Sequence, residues 1–265
     1  MHQFVSIALL SLLLSACDIN PYKRKEFSYF FNQSVDLTDN LIFYHFNEES
    51  YSGTAGDIID SSGRGRHCDS VNGLTKAQGI FGEGIYCDGS GSGIDLNLTE
   101  FDDGFDERTI SVWFYAEKID GTRYIYEEGG TVNGINIYII NGILYGHTYK
   151  GFPGSIDFQV HQSMPVSAET WYHVVITYHK DNGFLMFVNG DSIAPAESLN
   201  GFTFPSHGDP NGLCFQNGGT VRHDGSSGGS SYSNPFQGVL DEIAVWNRTL
   251  NPDEVNDLYL RQGRL

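Results

Sequence analysis

Between Trp171 and Gly190 the chain reads WYHVVITYHKDNGFLMFVNG, two apolar runs rich in β-branched and aromatic residues joined by Asp181-Asn182-Gly183. Runs of that composition around an Asn-Gly spacer predict an antiparallel hairpin. In the first run Tyr172, Val174, Ile176 and Tyr178 share one face, and His173, Val175, Thr177 and His179 share the other. Apolar residues stand on both faces, so the hairpin is expected inside a layered all-β protein, not in a sheet with one face in water. Asn189-Gly190-Asp191 is a second turn signal that sends the chain into a further strand.

Similar patterning predicts strands over Leu41–Phe46, Gly84–Cys87, Arg108–Ala116, Thr122–Glu127, Gly134–Ile140, Ile143–Tyr149, Ile156–His161 and Gln237–Asn247. Short strands at this spacing are those of a β-sandwich. Gly218 to Ser231 is the longest low-complexity stretch and is expected as a mobile surface loop. Asn251-Pro252-Asp253-Glu254 combines a capping Asn, a Pro at the first helical position and a Glu three residues after the cap, which starts a helix. Val255, Leu258 and Tyr259 fall on one face of that helix, which should dock against the sandwich edge.

Four stretches, taken in order, resemble the laminin-G-like jelly rolls of the concanavalin A-like superfamily. They are Asp60-Ser61-Ser62-Gly63-Arg64-Gly65, Arg108-Thr109-Ile110-Ser111-Val112-Trp113-Phe114, the Trp171 to Gly190 hairpin, and Phe236 to Arg248 with Asp241-Glu242 and Trp246. The resemblance spans roughly Leu41 to Leu260 and implies an antiparallel jelly-roll sandwich with a short C-terminal helix. It assigns Trp113 and Trp246 to packing.

At 265 residues with 40% hydrophobic content and no repeat or internal linker, the chain reads as one large β domain. Acidic residues outnumber basic ones 33 to 15, a formal net charge of -18, which argues against nucleic acid as a partner. Residues 1–16 lack Lys, Arg, Asp and Glu, and the apolar run Val5 to Leu14 is too short to span a bilayer, as in a signal peptide. Leu14-Ser15-Ala16-Cys17 resembles a bacterial lipobox, which implies cleavage before Cys17 and lipid on its thiol. More than one acyl chain gives stable membrane anchoring. The expected organisation is a signal peptide (1–16), a tether (17–36) and the jelly-roll domain (37–265), exported and lipid-anchored in the bacterial cell envelope. Cys68, Cys87 and Cys214 remain, an odd number that allows one pair with a leftover thiol, or no pair. In a jelly roll the segments of Cys68 and Cys87 would be neighbouring strands, which favours that disulfide.

Similarity to laminin-G-like domains also implies a structural calcium held by Asp60, Asp241 and carbonyls around Ser62, Arg64 and His67. Calcium takes six to eight oxygens, and a glycine-rich loop can turn several carbonyls to one point. The alternative is that Asp60 closes a local turn with its own backbone. A second candidate is a carbohydrate-binding face. Tyr124, Tyr126, Asn136, Tyr138, Tyr145, His147 and Tyr149 lie on consecutive strands and offer the rings and hydrogen-bonders that sugars need. The alternative assigns each of them to the core, with the site in the loops Lys150 to Ser155 and His207 to Ser231.

Catalytic signals are poorer. The laminarinase-like pattern Glu-x-Asp-x-x-Glu does not occur, and Gly225-Ser226-Ser227-Gly228-Gly229 lies outside any strand-turn-helix elbow. Lys150, Gln159 and His161 resemble residue types of jelly-roll polysaccharide lyases, but in a different order. The expectation is therefore a binding domain, not an enzyme, for a glycan or glycosylated surface. A surface protein is the alternative partner, with this chain as an adhesion module or accessory subunit.

Overall fold

The hairpin forms as the pattern requires: Trp171–His179 pairs antiparallel with Gly183–Val188, from Val174 opposite Val188 to His179 opposite Gly183. Gly183 (φ 102°), Asn189 (φ 54°) and Gly190 (φ 88°) take the left-handed conformations that its two turns need. The structure is a computed structural model that describes residues 38–208, 211–227, 229 and 232–261. The signal segment, Cys17 and the tether lie outside the described residues.

In chain order the strands are β1 (Asn40–Tyr44), β2 (Asp69–Val71), β3 (Thr75–Gln78), β4 (Glu83–Asp88), β5 (Gly93–Asp95), β6 (Glu107–Ala116), β7 (Thr122–Gly129) and β8 (Asn133–Ile140). They continue as β9 (Ile143–Phe152), β10 (Ser155–Pro165), β11 (Trp171–His179), β12 (Gly183–Val188), β13 (Asp191–Ser192), β14 (Gly212–Leu213) and β15 (Gln237–Trp246), before helix α1 (Pro252–Arg261). One sheet has the order β13-β12-β11-β6-β15-β4-β3, with β1 also paired to β15; the other runs β10-β9-β8-β7-β14-β5-β2. All these pairings are antiparallel. The two sheets stack as the sandwich that the sequence predicts. No helix among the described residues is long and apolar enough to cross a membrane.

The two apolar faces of β11 have separate destinations. Val174, Ile176 and Tyr178 join the main core between the sheets with Ile110, Val112, Phe114, Ile135, Ile137 and Leu240. Val175 belongs to a second cluster with Phe43, Phe187, Trp246, Leu250 and the helix residues Val255 and Leu258. Helix α1 therefore covers the outer face of the eight-stranded sheet, which carries a second apolar stripe to bury, and also meets the edge strand β13, as the sequence suggests. Each fully buried side chain of this size contributes about 1.5–3 kcal/mol. The helix start matches the sequence signal: Asn251 Oδ1 accepts the amides of Asp253 (3.0 Å) and Glu254 (3.1 Å), and Glu254 accepts the Asn251 amide at 2.8 Å.

The expected Cys68–Cys87 pairing is corrected. Cys87 lies on β4, whereas Cys68 bridges Ile58 and leads into β2 of the opposite sheet. The disulfide joins Cys87 to Cys214, which directly follows β14, with a Cα separation of 6.1 Å. It is thus a covalent tie between the two sheets. Cys68 is free and buried, its Sγ 2.8 Å from the Tyr44 hydroxyl, and burial pushes its thiol up to about 12.

Candidate functional site

The outer face of the seven-stranded sheet collects most of the aromatic residues singled out in the sequence. A bulge in β7 sets which ones: Tyr124 stands opposite Tyr138, yet Tyr126 stands opposite Ile137. The register shift turns Tyr126 into the core, where its hydroxyl donates to Glu128 at 2.6 Å. Tyr126 is thereby removed from the proposed face. The others remain together, with ring centroids 5.2 Å apart for Tyr124–Tyr138, 5.4 Å for Tyr138–Tyr145 and 5.3 Å for His147–Tyr149.

They do not form an open platform. Tyr124, Asn136, Tyr138, His147 and Tyr149 each have 0% exposure, and only Tyr145 of this set is partly accessible. The cover is the segment 217–227, which from Gly218 onward belongs to the stretch that the sequence marks as a mobile surface loop. Glu127, turned outward by the bulge, accepts the Asn217 amide at 3.2 Å and the Thr220 hydroxyl at 2.8 Å. The Val221 amide donates to the Tyr149 hydroxyl at 3.0 Å, and the His223 amide to the Tyr138 hydroxyl at 2.9 Å. Gln159 Nε2 donates to the His223 carbonyl at 3.1 Å, and the His223 ring stacks on Tyr145 at 3.9 Å. At its base the excursion closes on itself: the Phe236 amide donates to the Cys214 carbonyl at 2.7 Å, and Gln216 bridges Ser233.

What stays accessible is the rim where cover meets sheet. Tyr145, Gln159, Arg222 and His223 are half-buried there, while His161 and Asp224 are exposed. His161 lies 5.9 Å from Tyr145 and 5.1 Å from His223, ring to ring. Behind them His147 is held by burial at about 3 and is neutral; its Nε2 faces Gln159 Oε1 at 3.3 Å. Its Nδ1 and both amide atoms of its register partner Asn136 have no protein hydrogen-bond partner. Burial, then the charge of His161, lowers the imidazole of His223 below its ordinary value. The sequence marks Gln159 and His161 only by their likeness to lyase residues. Arg222 and His223 lie within a loop that the sequence offers as an alternative site but does not resolve into contacts.

Asp60 and Asp241, the carboxylates named for calcium, both accept backbone amides. Asp60 Oδ1 accepts the amides of Phe43 and Ser62, each at 3.0 Å. Its Oδ2 accepts the Ser62 hydroxyl at 2.7 Å and the Arg66 amide at 3.0 Å. His67 Nδ1 accepts the Asp60 amide at 3.0 Å, and the Arg64 amide donates to Ser62 Oγ at 3.3 Å. This is a turn closed on its own carboxylate. Asp241 sits at the β15 bulge, where Glu242 takes φ 50°, and accepts the amides of Phe81 (3.0 Å) and Glu242 (2.9 Å). Burial, opposed by those amides, pushes its carboxyl up to about 8. Each Asp60 oxygen thus accepts two hydrogen bonds and each Asp241 oxygen accepts an amide. Among the described residues no group of three or more His, Cys, Asp or Glu is placed to hold a metal.

Comparison with known proteins places this architecture. No curated protein sequence matches the chain. Among solved structures, domain 4 of AbnA, a GH43 extracellular arabinanase from Geobacillus stearothermophilus solved with arabinotriose, aligns with a TM-score of 0.58 and 17% identity over 83% of this chain and 98% of that one. The binding domain of Paraclostridial Mosquitocidal Protein 1 aligns at 0.63 and 22% identity, and that of botulinum neurotoxin DC, solved with SialylT, at 0.63 and 12%. These alignments cover 84% and 86% of this chain, which spans 52% of each toxin domain. At such identities the likeness is one of fold. A family model described as the concanavalin A-like lectin/glucanases superfamily, Laminin_G_3, matches residues 88–256. With two-sheet topology, hairpin and family match in agreement, the chain belongs to the laminin-G-like family of the concanavalin A-like lectin/glucanases superfamily.

Proposed function

We propose that this chain is a carbohydrate-binding domain, carried at the bacterial cell envelope by lipid on Cys17, and that glycans dock on the rim around Tyr145. The observation that carries the reading is the placement of Tyr145, His161, His223 and Gln159. An aromatic ring backed by a second ring at 3.9 Å stands beside side chains rich in hydrogen-bonding atoms, at the margin of a rigid sheet. Sugar rings stack on such surfaces while their hydroxyls take the neighbouring polar groups. A related fold solved with arabinotriose supports this reading by analogy.

Affinity electrophoresis through gels containing a panel of polysaccharides tests it. At least one polymer should retard the protein, and Tyr145→Ala should remove the retardation without changing the melting temperature by more than a few degrees. Retardation by none of the polymers overturns the reading.

A protein partner is the second reading, and one observation favours it. Phe152 and Val132 are 58% and 39% exposed, and they neighbour each other through the hydrogen bond from the Gly151 amide to the Val132 carbonyl at 2.7 Å. Loss of surface retention in Phe152→Ser, with polysaccharide binding intact, would assign that patch to adhesion.

A further inference from the structure

The rim described above carries a surplus of donors capable of positive charge. Arg222 directs Nε to Ser226 Oγ at 2.9 Å and Nη2 to the Ser227 carbonyl at 3.4 Å, both neutral acceptors. Asp224, its neighbour, is turned back into its own turn, where it accepts the Ser226 amide at 2.9 Å and the Ser226 hydroxyl. His223, half-buried, sets Nδ1 3.1 Å from the Tyr138 hydroxyl. His161 is exposed, its ring 5.1 Å from His223 and 6.3 Å from His147.

The titratable and charged groups facing this pair of imidazoles come from three elements. They are Tyr138 from β8, Tyr145 and His147 from β9, and Arg222 and Asp224 from the covering segment. His147 is neutral near physiological pH, for the burial given above. His161, His223 and Arg222 thus gather three nitrogen-bearing side chains at one rim, with Asp224 the carboxylate whose charge acts on His223, and a ligand carrying negative charge finds several donors there.

We propose that this rim takes the carboxylate of an acidic sugar, a uronic acid unit within a polysaccharide, with His161, His223 and Arg222 as donors and Tyr145 as the ring platform. The inference rests on the carbohydrate-binding reading and names its ligand class. Charge-assisted bonds from guanidinium and imidazolium to carboxylate are shorter and stronger than neutral ones, and Arg suits planar carboxylates. The chain's formal net charge of -18 opposes the approach of any polyanion, with a range cut to about 8 Å at physiological salt, so the donors at the rim act against it locally.

Proton linkage follows. A bound carboxylate favours the imidazolium form, so affinity rises as pH falls through the imidazole range. If the bound carboxylate moves the imidazole pKa upward by about one, affinity for the protonated site exceeds that for the neutral site about tenfold.

The test measures binding at pH 7.5 and pH 5.5 to polygalacturonate and alginate, with methyl-esterified polygalacturonate and arabinan as uncharged counterparts. The acidic polymers should bind several-fold more tightly at the lower pH, and the neutral ones should bind more weakly with no pH dependence. His161→Gln alters an exposed side chain, should keep the parent melting temperature, and should bind the acidic polymers more weakly. Equal affinity for acidic and neutral polymers, or binding of neutral ones alone, overturns this inference and leaves the carbohydrate reading standing. Unchanged affinity for the acidic polymers in His161→Gln also overturns it. Binding to none of the four, or to any wider panel, overturns both.

Discussion

Arg108 and Glu128 meet across the sandwich, Nη2 to Oε1 at 3.2 Å, with side-chain exposures of 1% and 0%. The two come from opposite sheets, Arg108 from β6 and Glu128 from β7. The guanidinium also lies over the Phe105 ring at 4.1 Å, and Tyr126 donates to the other carboxylate oxygen. A tyrosine read in the sequence as a sugar contact thus belongs to the polar centre of the core. Glu128→Gln leaves a buried guanidinium uncompensated and should cost about 3–5 kcal/mol in urea unfolding. The double change Arg108→Met with Glu128→Leu should cost less than the single one, since it leaves no unpaired charge.

The disulfide is the covalent counterpart of that pairing. It joins positions 127 residues apart, Cys87 and Cys214. Removing both thiols as Cys87→Ser with Cys214→Ser should lower stability by about 2–5 kcal/mol. A peptide map under non-reducing conditions should recover the 87–214 pair with Cys68 unmodified; recovery of a 68–87 peptide would refute the arrangement.

Two histidines make the fold sensitive to acid. Burial holds His147 and His173 at about 3, against an ordinary value of 6.5. Both groups gain protons in the unfolded chain first, so their contribution to stability is complete above pH 6.5 and is lost progressively toward pH 3. Each should remove about 1.4 kcal/mol per pH unit within that window. Asp241, raised to about 8, contributes the opposite slope, so in Asp241→Asn the melting temperatures measured from pH 8 to pH 4 should be level above about 7 and fall below about 6.

Asp60 offers the contrast between turn and metal. Its carboxylate accepts four hydrogen bonds, from Phe43, Arg66 and, twice, Ser62. A chelator should leave the melting temperature unchanged, whereas Asp60→Ala should cost about 1–3 kcal/mol by orphaning buried amides. A downward shift with chelator that calcium restores would reinstate the ion.

Much of the sandwich is legible in the sequence because its long strands are rich in β-branched and aromatic residues and its central turn uses Asn-Gly. The cap at Asn251 is legible for the same local reasons. Strands without a pattern of their own are not. β3 (Thr75–Gln78) is a mostly exposed edge strand, and the two-residue β14 exists only through its neighbours β5 and β7. Alternation also brings Tyr124, Asn136, Tyr138, Tyr145, His147 and Tyr149 to one face. It fails at Tyr126, where a one-residue bulge reverses the parity with no sequence mark. The cover is illegible for a different reason. Its Gly and Ser residues carry no periodic signal, and its anchors, Glu127, Tyr138 and Tyr149, lie far back in the chain.

The excursion that roofs the tyrosines departs at Cys214 and returns at Gln237, and these two residues attach to the consecutive pair Cys87 and Asp88. A segment clamped at a single root behaves as an exchangeable cassette. Insertions, deletions or wholesale replacement between those points leave every long strand pairing untouched while redrawing the surface that a ligand meets. Diversification of preference among relatives should therefore concentrate there, and grafting another member's excursion onto this root is the economical route to a new specificity.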